Sequence, residues 1–312
     1  MSADEYTPIR VATLRGDAKI PFDVYVRVAG KYIHYCRAGD SFEGVRLDRL
    51  RAKKLRKMYI KPEDDIPYQQ YLEQNIDSAY DSKSNRNDDS RAEIIQGFQQ
   101  AAAEQYMEEP QYEFSYNHMR SSVQRLVEHI QKDARAGYRL LKLKNTDQSV
   151  AHHCVNVATL AVLLALDSKF KESAKIPLLA TGCMIHDFDH YNRDMTVLKR
   201  PAEMTPEELA YYKEHPLRGA QQLQTTPFID QLVLNVILQH EENAVGTGFP
   251  KGLTEKEMDP LVMMAITANA YDRLTSFEAR EPKDAMKHLT LEGLGLYPLN
   301  LIQSLQKIVK AG

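Results

Sequence analysis

The residues best suited to chemistry are histidines and carboxylates in the second half of the chain. Six of the ten histidines lie between His152 and His240. Residues 186–190 read His-Asp-Phe-Asp-His, which places four potential metal ligands at the end of a predicted helix over 176–185. Adjacent side chains on a helix diverge by about 100°. One residue of the His186-Asp187 pair can therefore bind one metal ion while the carboxylate bridges to a second.

This donor set indicates a particular class of site. Imidazole and carboxylate together suit Fe, Mn, Zn or Co, and without a cysteine ligand a structural zinc site is disfavoured. Two ions about 3.5–4 Å apart would lower the pKa of a bridging water and clamp a phosphoryl oxygen during in-line attack. The sequence has neither a GxxxxGK[ST] phosphate loop nor a GxSxG elbow, so P-loop and serine-hydrolase chemistry have no support. A lone histidine would more often be a hydrogen-bonded structural residue.

The elements that must position these residues are helices. Apolar residues recur at helical spacing in several stretches of the second half. Examples are Val123, Leu126, Val127 and Ile130, then Val157, Leu160, Leu163 and Leu164. We therefore predict an all-α domain over 146–312, preceded by connecting helices over 91–145.

The first 76 residues predict a small α/β domain of unknown role. Residues 22–28 and 31–36 flank an Ala-Gly turn signal and are typical of a β-hairpin. A strongly basic helix is predicted over 46–57, followed by a short strand over 57–61. Its charges could contact phosphate or an acidic partner, but a solvated helix face is the favoured explanation.

Residues 77–90 are predicted to form a flexible linker, because they have almost nothing to bury. The fold class expected from these segments is α+β, a small α/β domain followed by an all-α domain.

Composition limits the classes of function. The chain has 312 residues, is 43 % hydrophobic and carries a net charge of −3, which argues against binding a nucleic-acid polymer. Its three cysteines form no CxxC motif and are typical of a reduced protein. The first ten residues lack a secretory signal, and the longest apolar run, 157–166, is short of the roughly 20 residues that span a bilayer. We therefore expect a cytoplasmic protein with no membrane span.

Several motifs in order resemble the HD-GYP subgroup of the HD-domain metal-dependent phosphohydrolases. The resemblance covers about half of the chain, from Asn145 onward, and residues before it receive no support. Its motifs are HCVNVA at 153–158, HD at 186–187, LKRP at 198–201, HP at 215–216, HE at 240–241, GTGFP at 246–250 and ANAYDRLTS at 268–276.

The resemblance implies a role in bacterial signalling, the hydrolysis of cyclic di-GMP by a hydroxide activated by two metals. The cofactors would be two divalent transition-metal ions, iron or alternatively manganese. The implied metal ligands are His153, His186, Asp187 as the bridge, His215, His240 and Asn269. The implied catalytic residues are Asp187 and His190, the latter as a proton donor. The candidate substrate-binding residues are Gly248, Phe249, Pro250 and Arg280, and Glu241 is expected to orient His240.

The chain departs from the family pattern at several positions. The family has a histidine at position 239, an aspartate at 269, a lysine at 190 and an acid at 149, where this chain has Gln239, Asn269, His190 and Ser149. Because the acid at 149 serves a third metal, we expect at most two ions. Asp272, three residues after Asn269, is an alternative ligand. The GTGFP loop has one extra residue, lacks the family's aspartate, and has Phe249 in place of tyrosine.

These departures leave a second function open. A degraded HD-GYP domain would sense a cyclic dinucleotide, or dock onto a diguanylate cyclase or another signalling protein, without turnover. The N-terminal domain would then be a docking or sensor module. A third hypothesis, a phosphohydrolase of another nucleotide, uses the same ligands.

Overall fold

The computed structural model describes residues 6–43, 45–145, 148–191 and 199–311. The chain divides into two compact units, one ending at Ala101 and the other beginning at Ala102. This boundary lies inside a helix and within the segment predicted as connecting helices.

The first unit contains a four-stranded antiparallel sheet with strand order β1-β4-β2-β3. The strands are β1 (Thr7–Arg10), β2 (Val24–Val28), β3 (Lys31–Cys36) and β4 (Lys57–Ile60). β2 and β3 form the predicted hairpin, and its turn residues Ala29 and Gly30 have φ of 48° and 79°. β1 was not predicted, since four residues that include a proline are too few to show alternation.

One face of this sheet is covered by helices α1 (Arg46–Ala52) and α2 (Asp65–Tyr80). The shared core includes Phe22, whose ring lies 5.4 Å from the rings of both Tyr68 and Tyr71. The basic helix is shorter than predicted. It ends at Ala52, and Lys54 has a left-handed φ of 54°, which stops the helix before β4.

Half of the linker predicted over 77–90 is helical. Residues 77–80 are the last turn of α2 and residues 88–90 the first turn of α3 (Asp88–Glu108), so only 81–87 join the two helices. Arg86 in this join donates hydrogen bonds of 2.9 Å to Asn75 Oδ1 and to Ser78 Oγ. These contacts link the join to α2, and the flexibility predicted for residues 77–90 stays a prediction.

The second unit is built from helices, as predicted. They are α4 (Glu113–Lys132), α5 (Ala134–Leu140), α6 (Val150–Asp167), α7 (Ile176–Met184), α8 (Phe188–Tyr191), α9 (Pro206–Lys213), α10 (His215–Leu223), α11 (Gln231–Gln239), α12 (Pro260–Ser276), α13 (Pro282–Leu291) and α14 (Leu299–Ala311). The α+β fold class is therefore confirmed. Leu198, in the LKRP motif, and residue 146, the predicted start of the all-α domain, lie outside the described residues.

α6 lies at the centre of this unit and packs against α7 and α12. Among the described residues it is the helix long and apolar enough to cross a membrane, yet 89 % of it is buried inside the fold. Its apolar composition is thus explained by packing within the domain. The cytoplasmic location stays a prediction.

Candidate metal centre

The predicted ligands converge from five segments of the helical unit. Most of them stand at helix ends, where the chain turns inward. They are His153 in the first turn of α6, His186 and Asp187 directly after α7, His215 at the start of α10, His240 directly after α11, and Asn269 in α12. All six side chains are buried, with no more than 4 % of any residue exposed.

The first group of donors, which we call the first half-site, consists of His153, His186, Asn269 and one oxygen of Asp187. His153 Nε2 lies 3.2 Å from His186 Nε2 and 3.1 Å from Asn269 Oδ1. The Oδ2 atom of Asp187 is 3.6 Å from both histidine Nε2 atoms.

The second half-site consists of His215, His240 and the other oxygen of Asp187. The two histidine Nε2 atoms are 2.8 Å apart, and Asp187 Oδ1 lies 3.4 Å from His215 Nε2 and 3.3 Å from His240 Nε2. The two oxygens of Asp187 therefore face different half-sites, as a bridging carboxylate must.

Every histidine of the centre has its other ring nitrogen occupied. Three Nδ1 atoms lie 2.7–2.8 Å from the backbone carbonyl three residues earlier, and the fourth lies 2.7 Å from a carboxylate. The pairs are His186 with Cys183, His215 with Tyr212, His240 with Ile237, and His153 with Asp272 Oδ2. Since Nδ1 carries the proton, each Nε2 presents a lone pair to the centre.

This tautomer provides a test of whether the residues suit a metal. In the second half-site two Nε2 lone pairs face each other at 2.8 Å, beside a carboxylate oxygen. Acceptors at this distance repel each other unless a positive charge lies between them, either a proton shared by the two nitrogens or a metal ion. The donor set of imidazole nitrogen, carboxylate and amide oxygen suits first-row divalent ions, so the residues fit a metal centre.

The electrostatics keep His186 and Asp187 in their metal-binding forms. Burial lowers the pKa of His186 to about 3, which leaves it a neutral ligand at pH 7. Burial by itself would raise the pKa of Asp187, but the surrounding histidines, His186 first among them, hold it well below its usual range. For His240, burial opposes protonation, yet the hydrogen bond with Asp187 outweighs it and raises the pKa.

The structure distinguishes the two candidate ligands of α12. Asn269 turns its Oδ1 into the first half-site, and its Nδ2 lies 3.5 Å from both the His240 carbonyl and Glu241 Oε1. Asp272 is occupied elsewhere, accepting hydrogen bonds from Asn156 Nδ2 at 3.0 Å and Ser276 Oγ at 2.7 Å and contacting His153 Nδ1. Asp272 therefore orients a ligand.

Glu241 does not orient His240 directly, contrary to the prediction. The Ile237 carbonyl contacts the His240 ring, and Glu241 Oε1 instead accepts a hydrogen bond of 2.7 Å from the Tyr212 hydroxyl. Sequence position alone suggested the pairing, because the two residues are neighbours in the chain.

His190 lies beside the second half-site. Its ring is 4.1 Å from that of His215 and stacks on Tyr212 at 5.6 Å, and only 2 % of the residue is exposed. Its Nε2 has no hydrogen-bond partner in the described part of the chain. Burial, with His215 adjacent, holds the pKa of His190 well below its usual range. A neutral imidazole therefore stands where the family has a lysine.

The GTGFP loop and the three residues after it contact Glu241 and Glu242, which directly follow His240. Glu242 is buried and accepts backbone hydrogen bonds of 2.7, 3.1 and 2.9 Å from residues 251, 252 and 253. A Cβ at Gly248 would lie 2.5 Å from Glu241 O, so this close approach requires glycine. Pro250 follows a cis peptide bond, and the Phe249 ring lies 6.2 Å from that of His215. The loop thus reaches the second half-site.

Arg280 is not brought to the centre. Its guanidinium pairs with Glu278, with Nε and Nη2 each 3.0 Å from Oε2, and it makes no contact with the described residues of either half-site. Its role in substrate binding stays a prediction.

Two features beside the centre were missed from the sequence. Tyr212 contacts His190, His215 and Phe249, and the Arg273 guanidinium lies 4.9 Å above its ring. Only the spacing of three residues between Tyr212 and His215 could have drawn attention to it.

The second feature is an ion pair between buried Asp189 and half-buried Arg218 of α10. Asp189 accepts hydrogen bonds of 3.1 and 2.8 Å from the Arg218 guanidinium. The pair links the segment after Asp187 to the helix that carries His215.

Comparison with known proteins agrees with this geometry. A family model described as HD domain matches residues 143–295. The structure of Bd1817, an HDG"Y"P protein from Bdellovibrio bacteriovorus, superimposes with a TM-score of 0.92 at 44 % sequence identity, covering 98 % of this chain and 100 % of that one. This chain belongs to the HD-GYP family. The likeness extends through the N-terminal unit of this HD-GYP protein, about which the motifs said nothing.

Curated relatives match about half of this chain. The cyclic di-GMP phosphodiesterase PA4108 of Pseudomonas aeruginosa is 29 % identical over 137 residues, which are 44 % of this chain and 33 % of that protein. A cyclic di-GMP phosphodiesterase of Vibrio cholerae is 27 % identical over 174 residues, 53 % of this chain and 34 % of that protein. The matched region is therefore about a third of each of these relatives.

Proposed function

We propose that this HD-GYP protein is a metal-dependent phosphodiesterase that hydrolyses cyclic di-GMP. The observation that carries the proposal is the position of Asp187, whose two oxygens face separate groups of histidine Nε2 atoms. The substrate class is taken from the names of the relatives in Pseudomonas aeruginosa and Vibrio cholerae.

Two divalent ions, iron or alternatively manganese, would be held by the half-sites. His153, His186 and Asn269 hold the first, His215 and His240 the second, and Asp187 both. When bound, such ions make water a nucleophile at neutral pH and neutralise charge on the phosphoryl oxygens.

The chain itself would orient the substrate and move a proton. Phe249 offers a ring for packing against a base at the rim of the second half-site, with Gly248 and Pro250 fixing its backbone. The unpartnered Nε2 of the neutral His190 would take up a proton from the attacking water and pass it to the leaving oxygen.

The second candidate is a module that binds a cyclic dinucleotide without turnover and docks onto a diguanylate cyclase or another signalling protein. The observations that favour it are the amide of Asn269 in place of a carboxylate and the neutral His190 in place of a lysine. Both reduce the charge available to hold metal and phosphate.

The test is turnover of cyclic di-GMP by protein purified anaerobically and loaded with Fe²⁺ or Mn²⁺. We expect hydrolysis by the wild type and none by Asp187→Ala. Asp167→Ala is the matched control, because Asp167 pairs with Ser304 and Lys307 at the end of α6 and is not a ligand. A loaded wild type that binds cyclic di-GMP but yields no product would contradict the enzyme and support the binding module.

A further inference from the structure

We propose that Arg273 is a phosphate-binding residue of this site, contacting a non-bridging oxygen of the cyclic dinucleotide. This inference rests on the proposed function for its substrate. Because His190 is neutral, Arg273 of α12 would supply the positive charge that faces the substrate phosphate.

The first argument is the place of Arg273 on its helix. It follows Asn269 by four residues in α12, and residues at this spacing share a helix face. The side of α12 that delivers an oxygen ligand to the first half-site therefore also delivers a guanidinium. Arg273 as a whole is half-buried, while its neighbours Asp272 and Leu274 are buried.

The second argument is the platform beneath the guanidinium. Its Cζ lies 4.9 Å from the centroid of the Tyr212 ring, a cation–π distance. The same ring lies 4.9 Å from the His215 ring and 5.7 Å from the Phe249 ring. A single aromatic ring thus contacts the cation, a metal ligand of the second half-site and the loop residue suited to pack on a base.

The third argument is that the positive charge is not neutralised by a partner. One Nη2 hydrogen bond goes to the Lys199 carbonyl at 3.2 Å, and among the described residues no carboxylate forms an ion pair with Arg273. Arg280, seven residues later, is different, because Glu278 accepts two of its hydrogen bonds. Arginine has five N–H donors in a planar fork that matches the oxygens of a phosphate, so most of these donors remain for a ligand.

The fourth argument is the local charge. Burial opposes the charged form of Arg273, but the nearby Tyr212, Glu241, Asp187 and Glu278 outweigh it and raise the pKa of the guanidinium. A phosphodiester that reaches the half-sites must approach these carboxylates, and a cation at the rim offsets that repulsion. The ring of Tyr212 fixes the guanidinium in advance, so little side-chain entropy is lost on binding.

The experiment compares Arg273→Ala, Arg273→Lys and the wild type, all loaded with Mn²⁺ under anaerobic conditions. Affinity is measured with a phosphorothioate analogue of cyclic di-GMP that resists hydrolysis, and kcat and KM with cyclic di-GMP itself. Metal content and thermal unfolding are recorded for each variant to detect a merely structural role. Arg135→Ala removes an exposed arginine paired with Asp133 and is the charge control.

We expect Arg273→Ala to lower the affinity for the analogue by about 10- to 100-fold, as loss of a charge-assisted hydrogen bond predicts. The metal content should be unchanged. Arg273→Lys should recover part of the loss, and Arg135→Ala should bind like the wild type. Equal affinity of Arg273→Ala and the wild type would overturn the inference and leave the proposed function standing. A wild type that binds without turnover contradicts the enzyme while the affinities still decide the role of Arg273. No binding by the wild type overturns both.

Discussion

The Oδ2 atom of Asp272 lies 2.7 Å from Nδ1 of His153, while Nε2 of the same ring faces Asn269. Asp272 is held in place by Asn156 and Ser276, and it fixes the tautomer and orientation of the imidazole. One helix, α12, thus carries both a ligand of the first half-site and the residue that aligns another ligand.

This relationship predicts the effect of Asp272→Asn. The amide keeps the size of the side chain but supports His153 less strongly, so metal affinity at the first half-site should fall by about 10- to 100-fold. The second half-site should keep its affinity, since Asp272 contacts neither of its histidines. Metal titration of protein freed of metal by a chelator measures the metal dissociation constants of both half-sites. Equal loss at the two half-sites would contradict the assignment.

Asn269→Asp should strengthen the first half-site, because a carboxylate oxygen binds a divalent ion more strongly than an amide oxygen. The gain is opposed by Glu241, whose carboxylate lies 3.5 Å from the present amide nitrogen. Adding Glu241→Gln restores a donor at that contact and still leaves an oxygen to accept from Tyr212.

We therefore expect the double variant Asn269→Asp/Glu241→Gln to bind metal more tightly than Asn269→Asp alone. The control is Glu241→Gln in the wild-type background, which should change affinity least of the three. The same titration, read as a double-mutant cycle, gives the coupling between the two residues. A coupling energy of zero would show that Glu241 does not oppose the gain in metal affinity of Asn269→Asp.

The amount of this architecture that the sequence predicts depends on how local each interaction is. The hairpin turn and the helix end that presents His186 follow from short-range patterns, and the structure has them near the predicted positions. The roles of Asp272 and Glu241 depend on contacts with residues 28 or more positions away, which no spacing rule provides.

The position of Arg273 was also beyond prediction from the sequence, because it depends on a distant residue. In sequence it is one charge in a buried helix, and its significance depends on Tyr212, 61 positions earlier in the numbering. Apolar periodicity likewise cannot predict polar contacts in loops, such as those that Arg86 makes between α2 and α3.

The stability of the metal-free protein should depend on pH through His186. Its pKa is about 3 when folded, against about 6.5 in the unfolded chain, so between these values the unfolded state binds the extra proton. Stability should therefore fall as the pH falls below about 6.5, by up to about 1.4 kcal/mol per pH unit for this group. The lowered pKa of Asp187 acts in the same direction at lower pH, and the raised pKa of His240 acts in the opposite direction above its ordinary value.

Urea unfolding of the chelated wild type and of His186→Gln at several pH values tests this. The variant cannot take up the proton, so its loss of stability towards acid should be smaller. Identical slopes for the two proteins would show that His186 is not the group responsible.

Arg218→Ala should destabilise the fold by about 1.5–3 kcal/mol, because it leaves the Asp189 carboxylate buried and without two charge-assisted hydrogen bonds. Removing both partners in Asp189→Ala/Arg218→Ala should cost less than Arg218→Ala alone, since no uncompensated charge remains. Urea unfolding measures each free energy. Asp189→Ala is measured alone as well. If the double variant loses the sum of the two single losses in unfolding free energy, the two side chains do not interact.

The central claim is that Asp187 joins two metal ions in one centre, and metal content per chain tests it most directly. Elemental analysis of protein purified anaerobically, before and after incubation with Fe²⁺ or Mn²⁺, should give about two transition-metal ions per chain. Asp187→Ala should bind neither ion stably, because its carboxylate faces both half-sites. A wild type that holds one ion or none after incubation would contradict the two-metal account.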